Sequence, residues 1–175
     1  MTSDSPEVLE LLKVLSGLAK TCKEDLSEEL VGKMFYGLQG MSSDKPEVLE
    51  LLKVLTGLSK TCTGQLSSEH VVDIMYGLHG MSSDQPEVLE LLQVLTALVE
   101  EGDGYELCAK YVGIIMYGLR GMSSDKPEVM ELLKVVTDLE VIKYDDDDEN
   151  IMMKMLIYGM EDISCLLYTS DAADE

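Results

Sequence analysis

The stretch Met41-Ser-Ser-Asp-Lys-Pro-Glu-Val-Leu-Glu-Leu-Leu52 decides the fold of this chain, because it recurs almost letter for letter. Its counterparts begin at Met1, Met81 and Met122, at spacings of 40, 40 and 41 residues. A second landmark, Tyr-Gly-Leu or Tyr-Gly-Met, keeps the same spacing and begins at Tyr36, Tyr76, Tyr117 and Tyr158. A period of this length indicates stacked supersecondary units that each contact their neighbours.

The first half of the repeat 41–80 has the pattern of an amphipathic helix, here called helix A. Its apolar residues follow the spacing i, i+3, i+4, i+7 and are Val48, Leu51, Leu52, Leu55 and Leu58. Pro46 is tolerated in a first helical turn. Asp44 and Glu47 have the form of a capping box, so we expect Asp44 to accept a hydrogen bond from an early backbone N–H.

The second half of the repeat predicts a second helix, helix B, after a polar loop at 61–65. Ser67 is its expected N-cap, and its inner face is predicted to be Val71, Ile74, Met75 and Leu78. Every repeat has a glycine at the position of Gly77, inside this helix. Because glycine is unfavourable within a helix, its recurrence predicts a close helix crossing that a Cβ would block. Gly80, like Gly40 and Gly121, is placed as a left-handed residue just after the helix.

These units predict an all-α fold, a right-handed α-solenoid of four two-helix repeats with about eight helices. The predicted repeats are 1–40, 41–80, 81–121 and 122–162. The period varies where loops absorb extra residues, at 100–104 in the third repeat and 144–149 in the fourth.

The end of helix B carries a resemblance to a known family. The run Ile74-Met-Tyr-Gly-Leu-His-Gly-Met81, followed by a Pro-Glu that opens a Leu-rich helix, resembles octotricopeptide-type repeats. The chain also resembles HEAT-like repeats, but only in the length of the repeat. The likeness spans residues 1–164 and implies paired helices. It also implies an RNA-binding array of the kind that is usually basic and organellar.

The two ends of the chain differ from the repeats in an informative way. The residues 165–175, Cys-Leu-Leu-Tyr-Thr-Ser-Asp-Ala-Ala-Asp-Glu, match nothing upstream and resemble a translated sequencing adapter. We therefore interpret 165–175 as a non-native tail. Met1 falls on the internal methionine of the repeat, equivalent to Met41 and Met81. The expectation is a fragment of a longer array.

Charge favours one class of partner. With 34 acidic and 13 basic residues, the formal net charge is −21. Such a surface attracts basic protein partners and repels phosphate backbones and anionic membranes. The sequence thus predicts a basic protein partner, no membrane and no small-molecule substrate, with RNA binding as the alternative. An acidic regulatory module attached to a catalytic domain is a third interpretation. The start lacks a signal peptide, so an intracellular location is expected, cytoplasmic or organellar.

No motif for catalysis, a cofactor or a metal is present. His70 and His79 fit no zinc template, and the acidic run 145–149 lacks the alternating ligands and glycine of a calcium loop. Cys22 and Cys62 occupy one repeat position and are interpreted as small buried thiols. A non-enzymatic protein without a cofactor is expected. The repeated tyrosines are interpreted as inter-repeat packing in preference to a stacking surface for bases.

Two repeat positions vary while their neighbours stay constant. One lies at the end of helix B and holds Gln39, His79, Arg120 and Glu161. The other lies in the first turn of helix A and holds Ser5, Lys45, Gln85 and Lys126. Both belong to the turn between repeats, so a partner along that edge would meet a different side chain in each repeat. We predict partner contacts there, the alternative being that exposed polar positions simply drift.

Overall fold

In the computed structural model, the described residues are 4–23, 25–62, 64–100, 106–138 and 140–142. Within them the chain forms seven helices: α1 (Pro6–Ala19), α2 (Glu28–Tyr36), α3 (Pro46–Ser59), α4 (Ser68–Gly77), α5 (Pro86–Glu100), α6 (Ala109–Leu119) and α7 (Pro127–Asp138). Two three-residue strands are β1 (Glu106–Cys108) and β2 (Glu140–Ile142). The all-α class is confirmed, with this short strand pair as an addition.

The helices pack in two rows. The odd-numbered helices correspond to helix A, and α1 packs on α3, α3 on α5, and α5 on α7. The even-numbered helices correspond to helix B, and α2 packs on α4 and α4 on α6. Most of the interface of each helix is therefore with its counterpart one repeat further along. The eighth helix, expected in the second half of the unit 122–162, lies outside the described residues.

The strand pair was not predicted from the sequence. β1 and β2 run parallel, with Glu106 opposite Glu140 and Cys108 opposite Ile142. β1 follows α5 in the chain and β2 follows α7, so the pair joins equivalent parts of two successive repeats. Val141 and Ile142 are β-branched, which favours extended backbone over the helical continuation expected there.

The predicted apolar faces form the core. In helix A of the second repeat, Val48 and Leu52 are fully buried, and in helix B Ile74, Met75 and Leu78 are equally inaccessible. One continuous cluster of buried side chains runs from α1 to α7. Because each odd-numbered helix between α1 and α7 has a neighbour on both sides, most of its circumference is apolar, as the sequence indicated.

The two helix types begin differently. The capping box expected at Asp44 does not form, since α3 begins at Pro46 and its N-cap, Lys45, makes no side-chain capping bond. Asp44 lies instead in a tight turn closed by the Lys45 N–H donating to the Ser42 carbonyl oxygen (3.3 Å). In helix B the Ser67 cap is confirmed, because the backbone N–H of His70 donates to Ser67 Oγ (3.3 Å).

Glycines allow the rows to approach closely. A Cβ on Gly77 would lie less than 3.0 Å from the carbonyl oxygen of Phe35, and one on Gly118 equally close to that of Met75. The predicted close crossing is therefore confirmed. The left-handed conformation is confirmed only at Gly40 (φ 75°), because neither Gly80 nor Gly121 has a positive φ. Gly80 is needed for space, since its Cβ would collide with the Met41 carbonyl oxygen.

Substituting Gly77 by alanine is expected to destabilise the protein by about 2 kcal/mol or more, since the added carbon meets rigid backbone of the preceding repeat. The matched control is Gly57→Ala in α3, where an added Cβ has nothing within 4 Å. That change should stabilise by up to about 1 kcal/mol through helix propensity. Urea unfolding monitored by circular dichroism measures both. Equal effects of the two substitutions would contradict the close crossing.

Replacing Ser83 by alanine should cost about 1–2 kcal/mol, because it removes a buried hydrogen-bond acceptor and leaves the Ser123 N–H unsatisfied. Ser123→Ala is the control, since its exposed side chain is lost while the donating backbone N–H remains. Thermal unfolding compares the two. A larger loss from the control would show that the Ser83 bond contributes little.

Candidate partner-binding edge at the turns between repeats

The turns that follow helix B lie side by side and form one edge of the molecule, here called the turn edge (residues 39–45, 79–85 and 120–126). Serine side chains connect them. The backbone N–H of Ser82 donates to Ser43 Oγ (2.8 Å), and that of Ser123 donates to Ser83 Oγ (2.8 Å). Because Ser43 and Ser83 are buried, these bonds hold successive turns in a fixed register.

A cleft of about 330 Å³ opens along the turn edge, centred on the second turn and bordered by residues of the first and the third. Of the predicted partner-binding residues, His79, Gln85 and Arg120 line it, and both variable repeat positions therefore contribute. The other lining residues are Ser42, Ser43, Asp44, Gly80, Met81, Ser82 and Gly121.

The remaining predicted residues lie elsewhere. Lys45, Lys126 and Gln39 belong to the same edge but do not line the cleft. Glu161 lies outside the described residues. The structure therefore brings three of the seven predicted residues together at one cleft.

Ion pairs across the turns differ between repeats. Lys45 lies 4.0 Å from Asp4 of the preceding repeat, and Lys126 lies 3.8 Å from Asp84. At the junction between them the lysine is replaced by Gln85. In the described part of the chain, Asp44 therefore receives no cation from the following repeat, and its one ion pair is with the adjacent Lys45 (3.6 Å).

The Asp44 carboxylate stays ionised at neutral pH. A hydrogen bond with the side chain of Ser42 lowers the pKa of Asp44, and the nearby charge of Lys45 lowers it further. Asp44 was not among the residues predicted to bind a partner. The signal that could have identified it is the break in the Lys45, Gln85, Lys126 series opposite a constant aspartate.

Aromatic rings form a continuous stack beside the cleft. Tyr36 and Tyr76 have ring centroids 5.7 Å apart, and Tyr76 and Tyr117 are 6.1 Å apart. The imidazole of His79 lies 5.4 Å from Tyr117, and the guanidinium of Arg120 lies 4.7 Å from the same ring. These contacts agree with inter-repeat packing of the tyrosines, and Tyr158 lies outside the described residues.

The other candidate chemistry is limited. His70 Nδ1 accepts a hydrogen bond from the backbone N–H of Ser67 (3.2 Å), so this histidine caps α4. Within the described ranges, no group of three or more His, Cys, Asp or Glu side chains could hold a metal ion.

Cys22 is exposed and Cys62 half-buried, which corrects the expectation of two buried thiols, because the loop after helix A leaves them near the surface. The acidic run 145–149 lies outside the described residues.

Lysines of the helix A row are engaged between repeats. Lys20 pairs with Glu50, Lys60 lies 2.7 Å from Glu90, and Lys13 lies 3.6 Å from Glu47. Lys60 lowers the pKa of Glu90 through a hydrogen bond and through its positive charge. Each exposed pair contributes less than about 1 kcal/mol to the stability of the fold. The pairs also neutralise lysines whose charge would otherwise be available to a phosphate backbone.

Comparison with known proteins finds no match to a family model, a curated protein or a solved structure. The likeness to octotricopeptide-type repeats therefore stays an expectation from the sequence. Over the described part of the chain, no helix is both long and apolar enough to cross a lipid bilayer.

Proposed function

We propose that this protein is a segment of a right-handed α-solenoid and acts as a non-enzymatic scaffold that binds a basic segment of a partner protein along its turn edge. The packing of the helices in two rows supports the solenoid. At each junction between repeats, helix A packs on the next helix A and, where both are described, helix B packs on the next helix B. The likeness to octotricopeptide-type and HEAT-like repeats agrees with such an array.

The cleft beside Asp44 carries the proposal. At the neighbouring junctions, a lysine of the next repeat lies within 4.0 Å of the aspartate, so the protein itself supplies the cation. At the junction that contains Asp44, the lysine is replaced by the neutral side chain of Gln85, and both residues line the open cleft. A lysine or arginine side chain from a partner would complete the same ion pair from outside.

The polar groups around the cleft suit a peptide. Ser42 and Ser82 supply hydroxyl oxygens near Asp44, and Arg120 supplies N–H donors for a peptide carbonyl at the opposite end of the cleft. An acceptor end and a donor end together favour a peptide that presents a basic side chain next to its own backbone carbonyls. The overall charge of −21 would bring such a segment to the surface.

A second candidate function, binding of single-stranded RNA, is favoured by the stacked rings of Tyr36, Tyr76 and Tyr117. Tyr36 is 42% exposed, so its outer face is open to a base. The acidic surface opposes this candidate, because phosphate neutralisation supplies most of the affinity for nucleic acid. The two candidates predict opposite preferences between a basic peptide and an RNA of equal length.

The variant Gln85→Lys should weaken binding of a short fluorescent peptide of alternating arginine and glycine by about three- to tenfold. The physical reason is that the new lysine would pair with Asp44, as Lys45 and Lys126 pair at their junctions. Fluorescence anisotropy at near-physiological salt measures the affinity. Single-stranded oligouridylate of the same length is the competing probe.

Gln93→Lys is the matched control. It makes the same change of charge in the same repeat, at a position that is lysine in the first two repeats, but on α5 and away from the cleft. Its affinity should stay close to that of the unmodified protein. An equal loss of peptide affinity in both variants would show that the peptide responds only to the net charge of the protein and not to the cleft. Tighter binding of oligouridylate than of the peptide would favour the RNA candidate.

A further inference from the structure

The cleft of the turn edge has a basic end as well as an acidic one. Arg120, which is the only arginine of the sequence, lines the cleft from the third turn, and Asp44 lines it from the first. The described residues at the repeat position of Arg120 in the first two repeats are Gln39 and His79, so neither of those repeats carries a fixed positive charge there. The cleft lies inside the array, since the first and the third turns border it on either side.

The ring of Tyr117 orients the guanidinium of Arg120. The Cζ atom of Arg120 lies 4.7 Å from the centroid of that ring. The imidazole of His79 stacks on the same ring at 5.4 Å, and its Nδ1 donates to the Tyr76 carbonyl oxygen (2.8 Å), because a carbonyl oxygen can only accept. Stacking uses the face of the guanidinium, whereas its N–H groups lie in the plane, in the fork geometry that binds a carboxylate through two hydrogen bonds. This end of the cleft therefore suits a carboxylate.

The surroundings favour the carboxylate of a peptide C-terminus. A carboxylate carries one negative charge and a phosphate group nearly two, so the net charge of −21 repels the phosphate group more strongly. Gly80 and Gly121 line the cleft without side chains, which leaves space for the main chain of a ligand. The carboxylate that is attached directly to a main chain is the C-terminus, and its capture is one of the general modes of peptide recognition.

The spacing of the repeats sets the position of the basic residue in such a peptide. Successive tyrosine rings beside the cleft are 5.7 and 6.1 Å apart. The two repeats that separate the first turn from the third therefore correspond to about 12 Å, a length that about three to four residues of extended chain span. A side chain that reaches Asp44 would belong to a residue about two or three positions before the terminal carboxylate.

We propose that the cleft binds the C-terminus of a partner protein, with the terminal carboxylate on Arg120 and a nearby basic side chain on Asp44. This inference rests on the proposed function, since it uses the same cleft, and it adds which part of the partner is bound. The peptide is held by two ion pairs of opposite polarity, so a basic segment within a longer chain, which has only one of them, binds more weakly.

Two forms of one short peptide test this arrangement. The peptide is Gly-Gly-Arg-Gly-Gly with a fluorescent label at its amino terminus, and it ends either in a free carboxylate or in a carboxamide. The carboxamide form has one more unit of positive charge, so the acidic surface by itself favours that form. The proposal predicts the opposite order, with the free acid bound about three- to tenfold more tightly in fluorescence anisotropy. A carboxamide peptide with aspartate as its last residue has the charge of the free acid and should bind more weakly than it.

Arg120→Gln should abolish the preference for the free acid, and its fold should be retained because glutamine occupies this position in the first repeat. Lys53→Gln is the matched control. It removes the same charge at a position that is glutamine in the third repeat and does not line the cleft, so the preference should persist.

The outcomes separate this inference from the proposed function. The inference alone is overturned by a carboxamide or aspartate peptide that binds as tightly as the free acid. It is also overturned by a preference that survives in Arg120→Gln or disappears in Lys53→Gln. Failure of every form of the peptide to bind the unmodified protein would overturn the proposed function as well.

Discussion

The close approach of successive B helices at Gly77 and Gly118 is the constraint on which the rest of the structure depends. Without a Cβ, each helix comes into contact with a carbonyl oxygen of the preceding one. The approach is limited by backbone rather than by adaptable side chains, and an added Cβ would collide with a carbonyl oxygen at both crossings. It places the tyrosine rings in stacking contact and brings the turns within hydrogen-bonding distance of one another.

The turn edge follows from that spacing. Ser43 and Ser83 tie each turn to the next through a buried hydroxyl, so side chains at equivalent positions are presented in a regular line. In such a line, a single change in one repeat has a local consequence. The glutamine at position 85 removes a cation that neighbouring junctions possess, and a cleft with an ionised aspartate is the result.

By itself, the sequence determined the repeat length, the two helices of the first three units, their buried faces and the close crossing at Gly77, because these depend on local periodicity and on one residue without a Cβ. It also located the turn edge through positions that vary. Only the tertiary structure decided that Gln85 lies beside Asp44, that Gly80 is needed for space, and that β1 pairs with β2. Each of these is a contact between residues far apart in the chain, and its geometry depends on how far one repeat is displaced from the next.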